Sequence, residues 1–183
     1  AIPWISRAPD TTSALTVGES PLKWGTDFIL LPKLGFALAL GGQPFGAGFE
    51  GRDVPTIYGG RIGDSTIAPA DARGKVVVFA PSATDPSFNF FLRDNLRRYA
   101  DAKAIVVATL DLGAAPTLRR VRDTYWDVNA PGEARPLTVV SVTNSAAERI
   151  FSKPLKDLTL GAAGSPLSGH ASFIERPTEA PAS

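Results

Sequence analysis

Three short runs in the second half of the chain, KVVVFA at 75–80, KAIVVAT at 103–109 and LTVVSV at 137–142, are almost entirely apolar and rich in valine. A strand with one face in water alternates apolar and polar residues. Runs like these are expected of strands covered on both faces. Gly74 and Lys75 mark the entry to the first run, whose side chains alternate, Val76 and Val78 to one covered side and Val77 and Phe79 to the other.

Other strand candidates are DFILL at 27–31, FALAL at 36–40 and VPTIY at 54–58, which make the first half of the chain read as all-β. Two helices are expected. In DPSFNFFLRDNLRRYADA, Asp85 is placed to cap and Pro86 suits the first helical position, with Phe88, Phe91, Leu92, Leu96 and Tyr99 on one face. In TNSAAERIF, Ser145 and Glu148 have the spacing of a capping box, and Ala147, Ile150 and Phe151 turn inward. Strands alternate with helices only in the second half, so the class is mixed α/β rather than a regular doubly wound sheet. Residues 1–20 lack a period and read as an extended arm, 21–174 as the folded domain, and 175–183 as a tail.

With 183 residues, 44% of them hydrophobic, one domain with a real core is expected. Nineteen Lys and Arg against eighteen Asp and Glu leave no global field to attract DNA, RNA or an anionic surface. The run FILLPKLGFALALGG is broken by Pro32, Lys33 and Gly35, so no membrane span is expected. The absence of Cys removes disulfides, thiolate catalysis and Cys-based zinc sites. The absence of Met, even at position 1, suggests a fragment or a mature exported product, secreted or periplasmic.

Gly63-Asp64-Ser65-Thr66 resembles the nucleophile block of the Gly-Asp-Ser-Leu esterases, and Ser65 is the alternative candidate for chemistry. Those enzymes orient their histidine through an Asp three residues before it. Here the only histidine is His170, and Leu167 stands at that position. The opposing reading is a turn fixed by the Asp64 and Ser65 side chains. Gly46-Ala47-Gly48-Phe49-Glu50-Gly51 formally matches the dinucleotide fingerprint, but β-formers and Pro55 follow it where a helix is required. One His and scattered carboxylates do not make a catalytic zinc site. Asp123, Asp127, Asn129 and Glu133 lack the spacing and central glycine of an EF-hand. No cofactor or metal is therefore expected.

The segment 113–136 joins two buried strand candidates and carries Arg119, Arg120, Arg122, Tyr125 and Trp126. Arg, Tyr and Trp concentrate binding energy at interfaces, which marks a protein or peptide contact surface. Equally, Tyr125 and Trp126 have the size to fold back and close the domain's own core.

Taken together, PLKWGTDFILLP, GRDVPTIYGGRIGDSTIAPADARGKVVVF, FLRDNLRRYADAKAIVVA and PLTVVSVTNSAAERIF resemble a protease-associated domain, over roughly residues 21–151. The resemblance rests on an order of events. A Tyr58-Gly59-Gly60 turn precedes Asp71-Ala72-Arg73-Gly74-Lys75 at a strand entry; a helix then ends near Tyr99-Ala100-Asp101-Ala102, and two more strands follow, the last running into NSAAERIF. At the helix-to-strand joint, where the family commonly has Gly-Ala, this chain has Lys103-Ala104. The resemblance implies a compact, swivelling-type β/β/α sandwich with flanking helices. It also implies a non-catalytic role beside or within a zinc peptidase, whose catalytic domain or protein and peptide substrates would be the partners.

Overall fold

The computed structural model describes residues 4–31, 47–82, 97–112, 126–128 and 137–178. Their strands are β1 (Trp4–Pro9), β2 (Ala14–Val17), β3 (Ser20–Leu22), β4 (Phe28–Leu30), β5 (Phe49–Val54), β6 (Thr56–Arg61), β7 (Val76–Ala80), β8 (Ala104–Val107), β9 (Trp126–Val128), β10 (Val139–Val142), β11 (Leu167–Ala171) and β12 (Phe173–Thr178). One α-helix, α1 (Asn144–Phe151), lies among them. The class is mixed α/β, with strands predominating.

The central sheet runs β4-β10-β8-β7-β6. Its last four strands are mutually parallel and β4 is an antiparallel edge. The valine runs form its middle, with Val77 opposite Ile57 on one side and Ile105 on the other. All five residues of β7 are buried. Their side chains divide by parity: Val76, Val78 and Ala80 enter one core cluster, Val77 and Phe79 a second. β4 and β8 divide in the same way, Phe28, Leu30 and Val106 to the first and Ile29, Ile105 and Val107 to the second. Burial of each such side chain stabilises by about 1.5–3 kcal/mol relative to exposure, which is why the pattern dominates the fold.

The first cluster is completed by the antiparallel sheet β3-β2-β11-β5, through Leu15, Val17, Leu22, Phe49 and Leu167, and by Ala146, Ala147, Ile150 and Phe151 of α1. The second is completed by Ile62, Ile67, Ala72, Tyr99, Leu110 and Leu137. Tyr99 stacks edge-on against Phe79 at 4.9 Å between centroids, and its hydroxyl donates to the Ile67 carbonyl at 2.6 Å. It is inward-facing as expected, although Arg97–Tyr99 is a 3-10 turn and 100–102 continue as turn and bridge; residues 85–96 of the expected helix, and the strand expected at 36–40, lie outside the described residues.

Three local expectations are corrected. Tyr58-Gly59-Gly60 is not a turn but part of β6, with a bulge at Tyr58/Gly60. A side chain at Gly59 would strike Phe79 and Val77, while Gly60 sits at φ 109° against the Ser65 carbonyl, so both positions exclude a Cβ. Pro55 divides the 54–58 run, ending β5 at Val54 and starting β6 at Thr56. The helix cap is Thr143 rather than Ser145: its hydroxyl accepts from the Ala146 N–H at 3.1 Å, and the Asn144 amide instead reaches Glu148.

Both terminal stretches are extended, as their lack of helical period requires, and are paired rather than loose. β1 and β12 run antiparallel, Trp4 opposite Thr178 through Pro9 opposite Phe173, so residues 175–178 belong to a strand and not to a tail. β2 pairs with β11 directly below. At the junction, Asp10 N–H donates to the Ser172 carbonyl at 3.0 Å, and Ser172 N–H to the Ser13 hydroxyl at 3.1 Å.

Candidate functional site

Parallel strands deliver their carboxyl ends to one edge, which is where open α/β sheets assemble ligand sites. Here β6, β7, β8 and β10 end together in Arg61, Ala80, Val107 and Val142, and polar residues lie at or within a few positions of these ends. The Thr109 and Ser141 hydroxyls pair at 2.9 Å, both fully buried. Asp111 accepts from the Asn144 N–H at 2.7 Å, placing its carboxylate at the positive end of α1. The Arg61 guanidinium donates to the Pro81 carbonyl at 2.7 Å and is thereby fixed over the end of β7.

Between Arg61, the start of α1 and the 3-10 turn Leu155–Asp157 lies a cavity of about 280 Å³. Arg61, Asn144, Glu148 and Lys156 supply its polar lining, and Pro81 and Leu155 much of its apolar lining. A second cavity, about 330 Å³, sits at the opposite edge, by Gly74, Asp101, Lys103 and Thr138. Near the first, burial raises the Tyr58 phenol above its ordinary pKa; the negative charge of Asp64 adds to this and Arg61 opposes it.

Of the residues singled out for contact, Arg119, Arg120, Arg122 and Tyr125 lie outside the described residues. Trp126 opens β9, whose backbone pairs with β1 so that Trp126 faces Arg7 in register. The segment 113–136 therefore contains a strand, and its length alone does not make it a free loop.

Gly63-Asp64-Ser65-Thr66 is a turn. The Asp64 N–H donates to the Arg61 carbonyl at 3.1 Å, and Thr66 bridges back to Gly60. Backbone bonds hold it; among the described residues the exposed Ser65 hydroxyl and the Asp64 carboxylate accept or donate no hydrogen bond. His170 is exposed on β11, in the other large sheet, opposite Glu50. The structure thus does not bring Ser65 and His170 into one hydrogen-bonded unit. The Gly46–Gly51 run leads into β5, a strand, so it lacks the helix a pyrophosphate needs. Among the described residues no three His, Asp or Glu side chains gather to hold a metal, and no helix is long and apolar enough to cross a membrane. Asp123, Asn129 and Glu133 lie outside the described residues, and of Asp127 only the strand backbone is described.

The carboxyl-edge cavity was not legible in the sequence. Its lining comes from four separated segments, and only the expectation that 75–80 and 137–142 form central strands pointed to that edge. Compared with protein-family models, with curated proteins and with solved structures, the chain matches none of them.

Proposed function

We propose that this chain is a non-catalytic accessory module of the protease-associated type, serving an exported zinc peptidase by shaping substrate access or by contacting protein and peptide. The observation that carries the reading is the layering: an antiparallel four-stranded sheet and a mainly parallel central sheet share one core cluster, as a β/β/α sandwich requires. Of the order of events that motivated the resemblance, the strand entry supports it as well, since Gly74 turns at φ 71° two residues before the buried β7. Partners on this reading are the catalytic domain of the parent enzyme or its substrates, with Arg119, Arg120, Arg122, Tyr125 and Trp126 as the contact residues.

The decisive experiment is to read the genomic frame around the coding segment. A contiguous frame carrying a His, Asp and Glu zinc-ligand set is expected; a gene that encodes this chain alone refutes the reading. The purified chain should bind no stoichiometric zinc and hydrolyse neither aminoacyl nor short-chain ester model substrates. Ester turnover that vanishes in Ser65→Ala, with the fold retained, would establish the esterase alternative instead.

A further inference from the structure

We propose that the carboxyl-edge cavity binds the terminal carboxylate and apolar last side chain of a peptide, with Arg61 and Lys156 as the anion-binding pair. This does not depend on the chain being protease-associated, because it rests on the cavity's own chemistry.

Charge comes first. Arg61 and Lys156 contribute two positive charges to the lining and Glu148 one negative. Glu148 already accepts a hydrogen bond from the Asn144 amide, so its partner lies within the site. Arg61 is half-buried, and its bond to the Pro81 carbonyl uses one of five N–H donors. A guanidinium fixed in this way loses little further freedom when it takes a carboxylate through its planar fork. Lys156, on the 3-10 turn, lines the same cavity and is exposed, so its long side chain can turn towards the same anion.

Shape and the remaining polar groups narrow the ligand. At about 280 Å³ the cavity has room for about one residue with its carboxylate, at the small end of the roughly 300–1,000 Å³ usual for ligand pockets. Pro81 and Pro154, with the edge of Leu155, give it an apolar side against which an aliphatic side chain can lie. With its nitrogen committed to Glu148, the Asn144 side chain keeps its oxygen as an acceptor, the complement of the last peptide N–H. The backbone N–H of Asn144 is taken by Asp111, so recognition falls to the side chains and not to the helix end.

The test is a titration of the isotopically labelled chain, followed by backbone amide shifts, with three probes. N-acetyl-leucine carries the α-carboxylate, N-acetyl-leucinamide lacks it, and N-acetyl-aspartic acid α-amide offers a side-chain carboxylate only. Saturable shifts at Arg61, Asn144 and Lys156 are expected with the first, and binding about tenfold weaker or more with the other two, the size of one lost charge-assisted hydrogen bond. Arg61→Gln should weaken N-acetyl-leucine by a similar factor. Because Arg61 also braces Pro81, Lys156→Ala on the exposed turn provides the second variant, expected to weaken binding severalfold with an unchanged spectrum elsewhere. Equal binding of the acid and its amide, equal binding of the aspartyl probe, absence of saturable shifts, or indifference to both substitutions would overturn the proposal.

Discussion

Truncating Val77 and Val78 separately to Ala probes the feature on which the fold is built. Both side chains are fully buried, yet they belong to different core clusters on opposite faces of β7. Each change removes two methyl-sized groups, a transfer loss of about 1.6 kcal/mol at 0.8 per group. A residual void of roughly 40 Å³ adds about 1 kcal/mol at 24 cal/mol per Å³, for a total of about 2.5 kcal/mol per site. Equilibrium unfolding in guanidinium chloride reads this as a fall in midpoint at unchanged slope. Since the two side chains share no cluster, the double variant should lose close to the sum, within about 0.5 kcal/mol. A loss below about 0.5 kcal/mol at either position would mean that one face of the sheet is open to water, and the doubly covered central strand would be wrong.

Gly60→Ala places a Cβ at φ 109° against the Ser65 carbonyl, and should cost about 2 kcal/mol or more in a thermal or denaturant melt. Gly74→Ala, at φ 71° with open space around it, should cost only about 1 kcal/mol. Thr143→Ala should lose about 1 kcal/mol through the missing helix cap, while Ser145→Ala, one residue inside the helix and exposed, should stay within about 0.5 kcal/mol; the reverse order would restore Ser145 as the cap. Hydrogen bonds from the Thr12 hydroxyl and N–H, with smaller help from Ser172 and His170, hold the Asp10 carboxyl below its usual 3.8. Its contribution to stability is therefore present above pH 3.8 and lost as pH falls through the lowered value, and Asp10→Asn should flatten the acid limb of a Tm-against-pH curve. Tyr58 has the opposite sign: its raised pKa makes stability fall as pH climbs past 10, and Tyr58→Phe should remove that alkaline loss.

The parts of the fold visible in the sequence are those whose local pattern coincides with their final environment. KVVVFA, KAIVVAT and LTVVSV are apolar throughout because both faces are covered, and they are β7, β8 and β10. β2 carries a true alternation, with Leu15 and Val17 inward and Ala14 and Thr16 outward, but four residues between Ser and Gly are too short a signal to lift it out of an arm. β11, Leu-Ser-Gly-His-Ala, has no strand signal at all: Gly169 stands where the Ala14 carbonyl approaches too closely for a side chain, a requirement set by the partner strand. The Gly59-Gly60 pair was legible as special but not as a bulge, because Phe79, Val77 and Ser65, which demand it, come later in the chain. The candidate cavity is hidden for a related reason. Arg61 and Lys156 become neighbours only after the chain has laid β7, β8 and β10 beside β6.

The pairing of β1 with β12 also determines how this protein responds to force. Tension applied at Trp4 and Thr178 acts on two directly opposed residues of an antiparallel ribbon, so it loads the cross-strand hydrogen bonds one pair at a time. The ribbon should peel open at low force, like a zip, from Trp4 towards Pro9. The fracture then reaches Asp10, Ser13 and Ser172, where backbone and side-chain bonds cross the gap together, and behind them the β2–β11 ladder with its buried Leu15 and Leu167. A pulled molecule should therefore show a compliant first extension as six residues of β12 come free, followed by six of β1 once its pairs with β9 at Ile5–Arg7 also peel, before a distinctly stiffer barrier protects the core.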